Sequence, residues 1–199
     1  MKNNIITELD NLLVSNFKNS NKNLDEPQEE MSIPIDSKGV AFSSYSFDKV
    51  KNGNVLFPFL NQGKRMQSMC DYILFCSNNN NLYILLIELK KGKNQVTNQL
   101  EAGKNLSQFI ISTLNRVNSL KINPQIRLIS IRNKNITRKD YNVYYMPLNK
   151  NENSVVDNDK FLKIAYTFES QTDDFTAEDL KEQFSRLLVL AGFAPSVIE

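Results

Sequence analysis

The chain has 199 residues, 41% hydrophobic and 23% charged, with a formal net charge of +2, the balance of one ordinary globular domain spanning residues 1–199. No apolar run approaches the roughly 18 residues that a membrane span requires, so the reading is of a chain without membrane partners. Histidine is absent and cysteine occurs twice, which excludes Ser-His-Asp chemistry, a histidine base, histidine-containing zinc sites and a four-thiolate zinc site.

Residues 3–17 carry Ile5, Ile6, Leu9, Leu12, Leu13 and Phe17 at helical spacing. Lys2 and Glu8 in that opening stretch argue against a signal peptide. Residues 18–31, rich in Asn and acids, read as a flexible connector. Short strand-like pieces follow at Val40–Ser46 and Val55–Leu60, broken by Gly39, Gly53 and Pro58. Asp71–Cys76 and Leu82–Lys90 are strongly apolar and flank the polar cluster Ser77–Asn81, which predicts a β-hairpin. Cys70 and Cys76 lie in or beside one strand and cannot bridge without distortion, so reduced thiols in a cytoplasmic setting are expected.

Residues 94–117 predict a helix with Val96, Leu100, Phe109, Ile110, Leu114 and Val117 mostly on one side, interrupted by Gly103. None of Gly63-Lys64, Gly92-Lys93 and Gly103-Lys104 completes a phosphate-binding P-loop. Strands are expected at Gln125–Arg132, Tyr141–Leu148 and Phe161–Phe168. A last helix opens at Thr176 and ends near Leu190, with Leu180, Phe184, Leu187 and Leu188 on its buried side. The order implies an α/β fold, a central mixed β-sheet flanked by helices.

Three charges interrupt the apolar hairpin: Asp71 on one arm, Glu88 and Lys90 on the other. A turn folding about Asn79 and Asn80 opposes residues whose numbers add to 158 or 159, so Asp71 faces Ile87 or Glu88. Two bare carboxylates about 5 Å apart repel by about 3 kcal/mol at an effective dielectric of about 20. A divalent cation with oxygen ligands offsets that. Side chains alternate along a strand, so Lys90 shares a face with Glu88. Downstream, Leu89 to Lys139 carries eleven Lys or Arg against one acid, Glu101, whereas residues 150–199 carry five basic and ten acidic side chains. A basic half beside a carboxylate strand suits a phosphate backbone, with Lys91, Lys93, Lys104 and Arg132 as candidate contacts.

Asp71 followed after seventeen positions by Glu88-Leu89-Lys90 on an apolar strand resembles the PD-(D/E)xK nuclease superfamily, with its restriction-endonuclease-like fold. The resemblance implies that Asp71 and Glu88 hold one or two Mg²⁺ (or Mn²⁺) ions and that Lys90 is the catalytic lysine. Cys70 stands where the name-giving proline would be. Many members add an acid from the first helix, for which Glu8 is the candidate metal ligand here. Gln95 and Gln99 open the following helix near the expected site. Gln99-Leu100 resembles a glutamine motif of some branches, although Gly103 replaces its aromatic. The implied activity is metal-dependent hydrolysis of phosphodiester bonds, in DNA rather than RNA and as an endonuclease rather than an exonuclease. Defence, restriction, recombination and mobile-element maintenance are settings that fit. A chain this small leaves no room for a separate sequence-reading domain, so specificity comes from nucleic-acid structure, a protein partner or a homodimer. The alternatives are a non-catalytic nucleic-acid- or protein-binding module on the same fold, and a plain interaction protein indifferent to divalent ions.

Overall fold

Asn4 caps the first helix, α1 (Ile5–Leu12), its side-chain oxygen accepting from the Ile6 N–H at 3.1 Å. The computed structural model describes residues 4–21, 23–29, 31–34, 41–47, 68–78, 81–91, 96–133, 141–145 and 162–163. The helix stops five residues short of the Phe17 that its apolar spacing predicts, because Leu13 is extended. Tertiary pairing takes over from that point. The chain passes through a 3-10 turn, Ser15–Phe17, and bonds to the third strand: the Asn19 N–H donates to the Ser44 carbonyl at 2.8 Å and the Ser46 N–H to that of Phe17 at 2.9 Å. The Phe17 ring stacks on Phe47, centroids 5.2 Å apart.

The expected connector over residues 18–31 is structured instead. β1 (Asn23–Glu26) and β2 (Met31–Pro34) pair antiparallel around a 3-10 turn, Pro27–Glu29. Leu24, Met31 and Ile33 are buried among the polar residues that suggested a loop, and their burial offsets the cost of ordering the hairpin.

The main sheet runs β3 (Ala41–Tyr45), β4 (Tyr72–Asn78), β5 (Asn81–Lys91), β6 (Gln125–Asn133), β7 (Tyr141–Tyr145), β8 (Leu162–Lys163), in that spatial order. All neighbours are antiparallel except β5 and β6, which are parallel and joined by the helix α2 (Thr97–Val117), the crossover that parallel neighbours require. Every residue from Leu82 to Leu89 is buried, so β5 is covered on both faces. One face, carrying Ile73, Phe75, Leu82, Ile84, Leu86 and Leu128, packs in one apolar cluster with Leu9 of α1 and Leu100, Ile110 and Leu114 of α2. The α2 face differs from the predicted one: Phe109 and Val117 are exposed, while Leu106, Ser107 and Ile111 are buried. Among the described residues no helix is long and apolar enough to cross a membrane. The predicted strand Val55–Leu60, most of Phe161–Phe168 and the final helix lie outside the described residues.

Gly103 of α2 packs closely against Cys70 and Leu86. A Cβ there would overlap the Cys70 Sγ, which is buried and hydrogen-bonded to the Tyr72 carbonyl at 3.5 Å. The residue that interrupts the helical pattern is thus the one that lets α2 seat beside Asp71. Gly103→Ala is expected to destabilise the fold by roughly 1–2 kcal/mol in urea titrations, overpacking outweighing a helical gain of about 1 kcal/mol. Cys70→Ala in the same chain should recover part of that loss; no recovery would place the conflict elsewhere.

Candidate active site

The β4–β5 ladder ends on Tyr72 opposite Ile87, partners whose numbers add to 159. Asp71 is the next residue out, which selects Glu88 as its opposite number. Both are almost fully buried, Asp71 at 5% exposure and Glu88 at 2%. Each carboxylate accepts a backbone N–H from across the hairpin. The Leu89 N–H donates to Asp71 Oδ2 at 2.7 Å, and the Asp71 N–H donates to Glu88 Oε2 at 3.2 Å. These two bonds continue the ladder with side-chain oxygens where backbone carbonyls would stand, and both carboxylates line the same cavity.

Lys90 follows the alternation of β5 to the same side, with Nζ 3.5 Å from Glu88 Oε1. A second acid reaches it from the β1–β2 hairpin: Glu29 Oε1 lies 3.2 Å from Nζ. Ser130, in register with Glu88 on the parallel strand β6, is a small buried polar residue beside it. A cavity of about 690 Å³ opens over the pair, lined by Glu26, Pro27, Gln28 and Glu29 on one side and by Ser68, Met69 and Gln99 with Asp71, Glu88 and Lys90 on the other.

Burial pushes the Glu88 carboxyl up to about 8, with the Asp71 charge adding to the effect and Lys90 opposing it. For Lys90, burial pulls the ammonium down, but the charges of Glu88 and Glu29 prevail and hold it above its ordinary value. The cavity wall carries four acidic side chains and one lysine, with Glu88 holding its proton below about 8. A phosphate meets net repulsion there unless cations come with it.

Of the residues expected at the site, Asp71, Glu88, Lys90 and Gln99 come together. Glu8 does not. Its Oε2 accepts from Asn118 Nδ2 at 2.7 Å, at the far end of α2, roughly 28 Å along the helix from Gln99 at 1.5 Å per residue. α1 packs across the opposite end of α2, and the further acids that line the cavity beside Asp71 and Glu88 are Glu26 and Glu29. Those two were hidden in the acid-rich stretch read as connector; Pro27 between the alternating Leu24 and Met31-Ser32-Ile33 was the signal for a hairpin tip. Lys104 sits on α2 outside the cavity lining, 3.6 Å from Glu101 and partly exposed. Lys91 ends β5, and Arg132 is the register partner of Lys90 on β6. Lys93 and Gln95 lie outside the described residues.

Asp71 and Glu88 offer hard oxygen donors, about four lone-pair sites per carboxylate, so hydrogen bonding and coordination of Mg²⁺ or Mn²⁺ are compatible. Among the described residues no group of three or more His, Cys, Asp or Glu is arranged to hold a metal. Mg²⁺ asks for only one or two carboxylates, the rest of its shell being water and phosphate oxygens. Comparison with family models, with curated proteins and with solved structures returns no match.

Proposed function

We propose that the chain is a divalent-metal-dependent nuclease of the PD-(D/E)xK type with a restriction-endonuclease-like core, acting on DNA. The observation that carries this is the buried pair Asp71 and Glu88, each carboxylate held by a backbone N–H from across the hairpin, with Lys90 beside Glu88 in the lining of one cavity. A structural ion pair would need one acid and one base. Two buried carboxylates raise each other's electrostatic cost, and an oxygen-ligated cation relieves it. The α/β order, with a helix directly after the Glu88–Lys90 strand, supports the same reading.

Asp71 and Glu88 would hold Mg²⁺ or Mn²⁺, which when bound supplies Lewis acidity and a water of lowered pKa. Lys90 presents N–H donors to the attacking water or to the charge developing on the scissile phosphate, in a shielded site where such a donor counts for more than in water. Gln99 also lines the cavity and offers amide contacts to the substrate. Assays on plasmid, linear, single-stranded and RNA substrates with and without Mg²⁺ or Mn²⁺ test the reading. Metal-dependent cleavage of DNA is expected; binding without cleavage in any divalent metal would favour the non-catalytic module.

The basic segment makes a separate prediction. Lys104→Ala should weaken binding about equally across DNA sequences and reduce the slope of log K against log salt by roughly 0.9 for each phosphate that is no longer neutralised. Fluorescence anisotropy between low and moderate salt measures this, and an unchanged slope would remove Lys104 from the interface.

A further inference from the structure

We propose that Glu29 is a positioning residue for Lys90, gripping its ammonium from across the cavity so that the lysine stands over Glu88; the proposal rests on the nuclease reading above. A lysine has a flexible four-carbon stem and gives up much rotamer freedom when held. One acid on its own strand gives it one anchor, at 3.5 Å; Glu29 supplies a second, closer one at 3.2 Å from a different element. Lys90 and Glu29 side chains are only 22% and 18% exposed, so this pair is shielded more than a surface ion pair is.

The hairpin is itself registered on the site. The Tyr72 hydroxyl donates to the Asp25 carbonyl and accepts from the Asp25 N–H, both at 2.8 Å, and Tyr72 immediately follows Asp71. From Asp25 the chain needs only Glu26 and the 3-10 turn to deliver Glu29. Hydrogen bonds and ion pairs therefore link Asp71–Tyr72, the hairpin tip with Glu29, Lys90 and Glu88 into one closed circuit. The turn belongs to the reacting site rather than to a peripheral ornament.

The test uses the full chain. In metal-free protein at low temperature, ¹H–¹⁵N spectra should show a slowly exchanging Lys90 ammonium signal, assigned by its disappearance in Lys90→Arg. Glu29→Ala should lose that signal, Glu29→Gln should keep part of it because the amide oxygen still accepts, and Tyr72→Phe should weaken it. In plasmid cleavage with Mn²⁺, Glu29→Ala should lower kcat about tenfold or more while KM and the Mn²⁺ Kd stay within about twofold, the pattern of a misplaced catalytic group. A Glu29→Ala protein that keeps both the ammonium signal and kcat overturns the proposal. So does one that keeps the signal but binds Mn²⁺ much more weakly, which would make Glu29 a ligand. If the signals respond as expected and the wild type cleaves nothing, the grip on Lys90 stands and the nuclease reading fails.

Discussion

Glu88→Gln is expected to abolish metal-dependent cleavage while leaving DNA affinity unchanged or higher. Glutamine keeps the length and an oxygen that accepts from the Asp71 N–H, so the clasp that ends the ladder survives. What disappears is the charge that binds a cation. Loss of a single preorganised electrostatic group costs on the order of 10²–10³ in kcat, and loss of a metal ligand should cost no less. Alanine is the poorer probe, because it strands a buried N–H and opens a cavity, mixing stability with chemistry. Lys90→Ala should also stop cleavage with a small loss of affinity, since one lysine is one phosphate contact among many. Plasmid nicking paired with anisotropy reads both quantities. A Glu88→Gln protein that cuts at the wild-type rate would show that the chemistry lies elsewhere.

The metal-free protein should lose stability as pH rises. Glu88 has an ordinary value of 4.5 and is pushed up to about 8 in the fold, by burial first and by Asp71 second. A group raised on folding contributes stability that is complete below 4.5 and is lost as pH climbs through 8, because the folded state then has to carry the buried charge. Each unit of displacement is about 1.4 kcal/mol and about three units fall between pH 5 and pH 8, so a fall in Tm of roughly 8–16 °C between pH 5 and pH 9 is expected for a chain of this size. Lys90, raised from an ordinary value already above this window, stays charged throughout. Mn²⁺ binds the carboxylate form, so its affinity should strengthen as pH rises through 8, and saturating Mn²⁺ should flatten the Tm profile. Glu88→Gln should flatten the profile without metal and abolish the metal effect. A wild-type profile unresponsive to Mn²⁺, or one that Glu88→Gln leaves sloping, would show that no cation is held at this carboxylate.

Much of the site could be read without coordinates because its chemistry lies on one hairpin. An apolar run too long and too branched for a surface strand demands burial on both faces, and Leu82–Leu89 is buried throughout. The two-residue period of a strand puts Glu88 and Lys90 on one side whatever the rest of the chain does. The Asn-rich turn places Asp71 within one residue of its partner. Choosing between sums of 158 and 159 was beyond the sequence, since a symmetric polar turn closes in either register; the structure selects 159, and with it Asp71 opposite Glu88.

The remainder was decided by contacts between segments far apart in sequence, which leave no local periodicity to read. α1 ends at Leu12 because residues 17–19 find backbone partners on β3, and a helix continuing on its own propensity cannot match that pairing. Glu8 turns to Asn118 because α1 packs across the far end of α2. Residues 23–34 look like a connector by composition. Their three buried apolar side chains and one tyrosine hydroxyl on Asp25 make them a hairpin whose tip brings Glu29 to Lys90. Strand alternation and apolar length, which are properties of a single segment, thus put Glu88 and Lys90 on one side and brought Asp71 within one residue of its partner. Only tertiary packing could decide which other acids stand over them, because that depends on where separate elements are anchored.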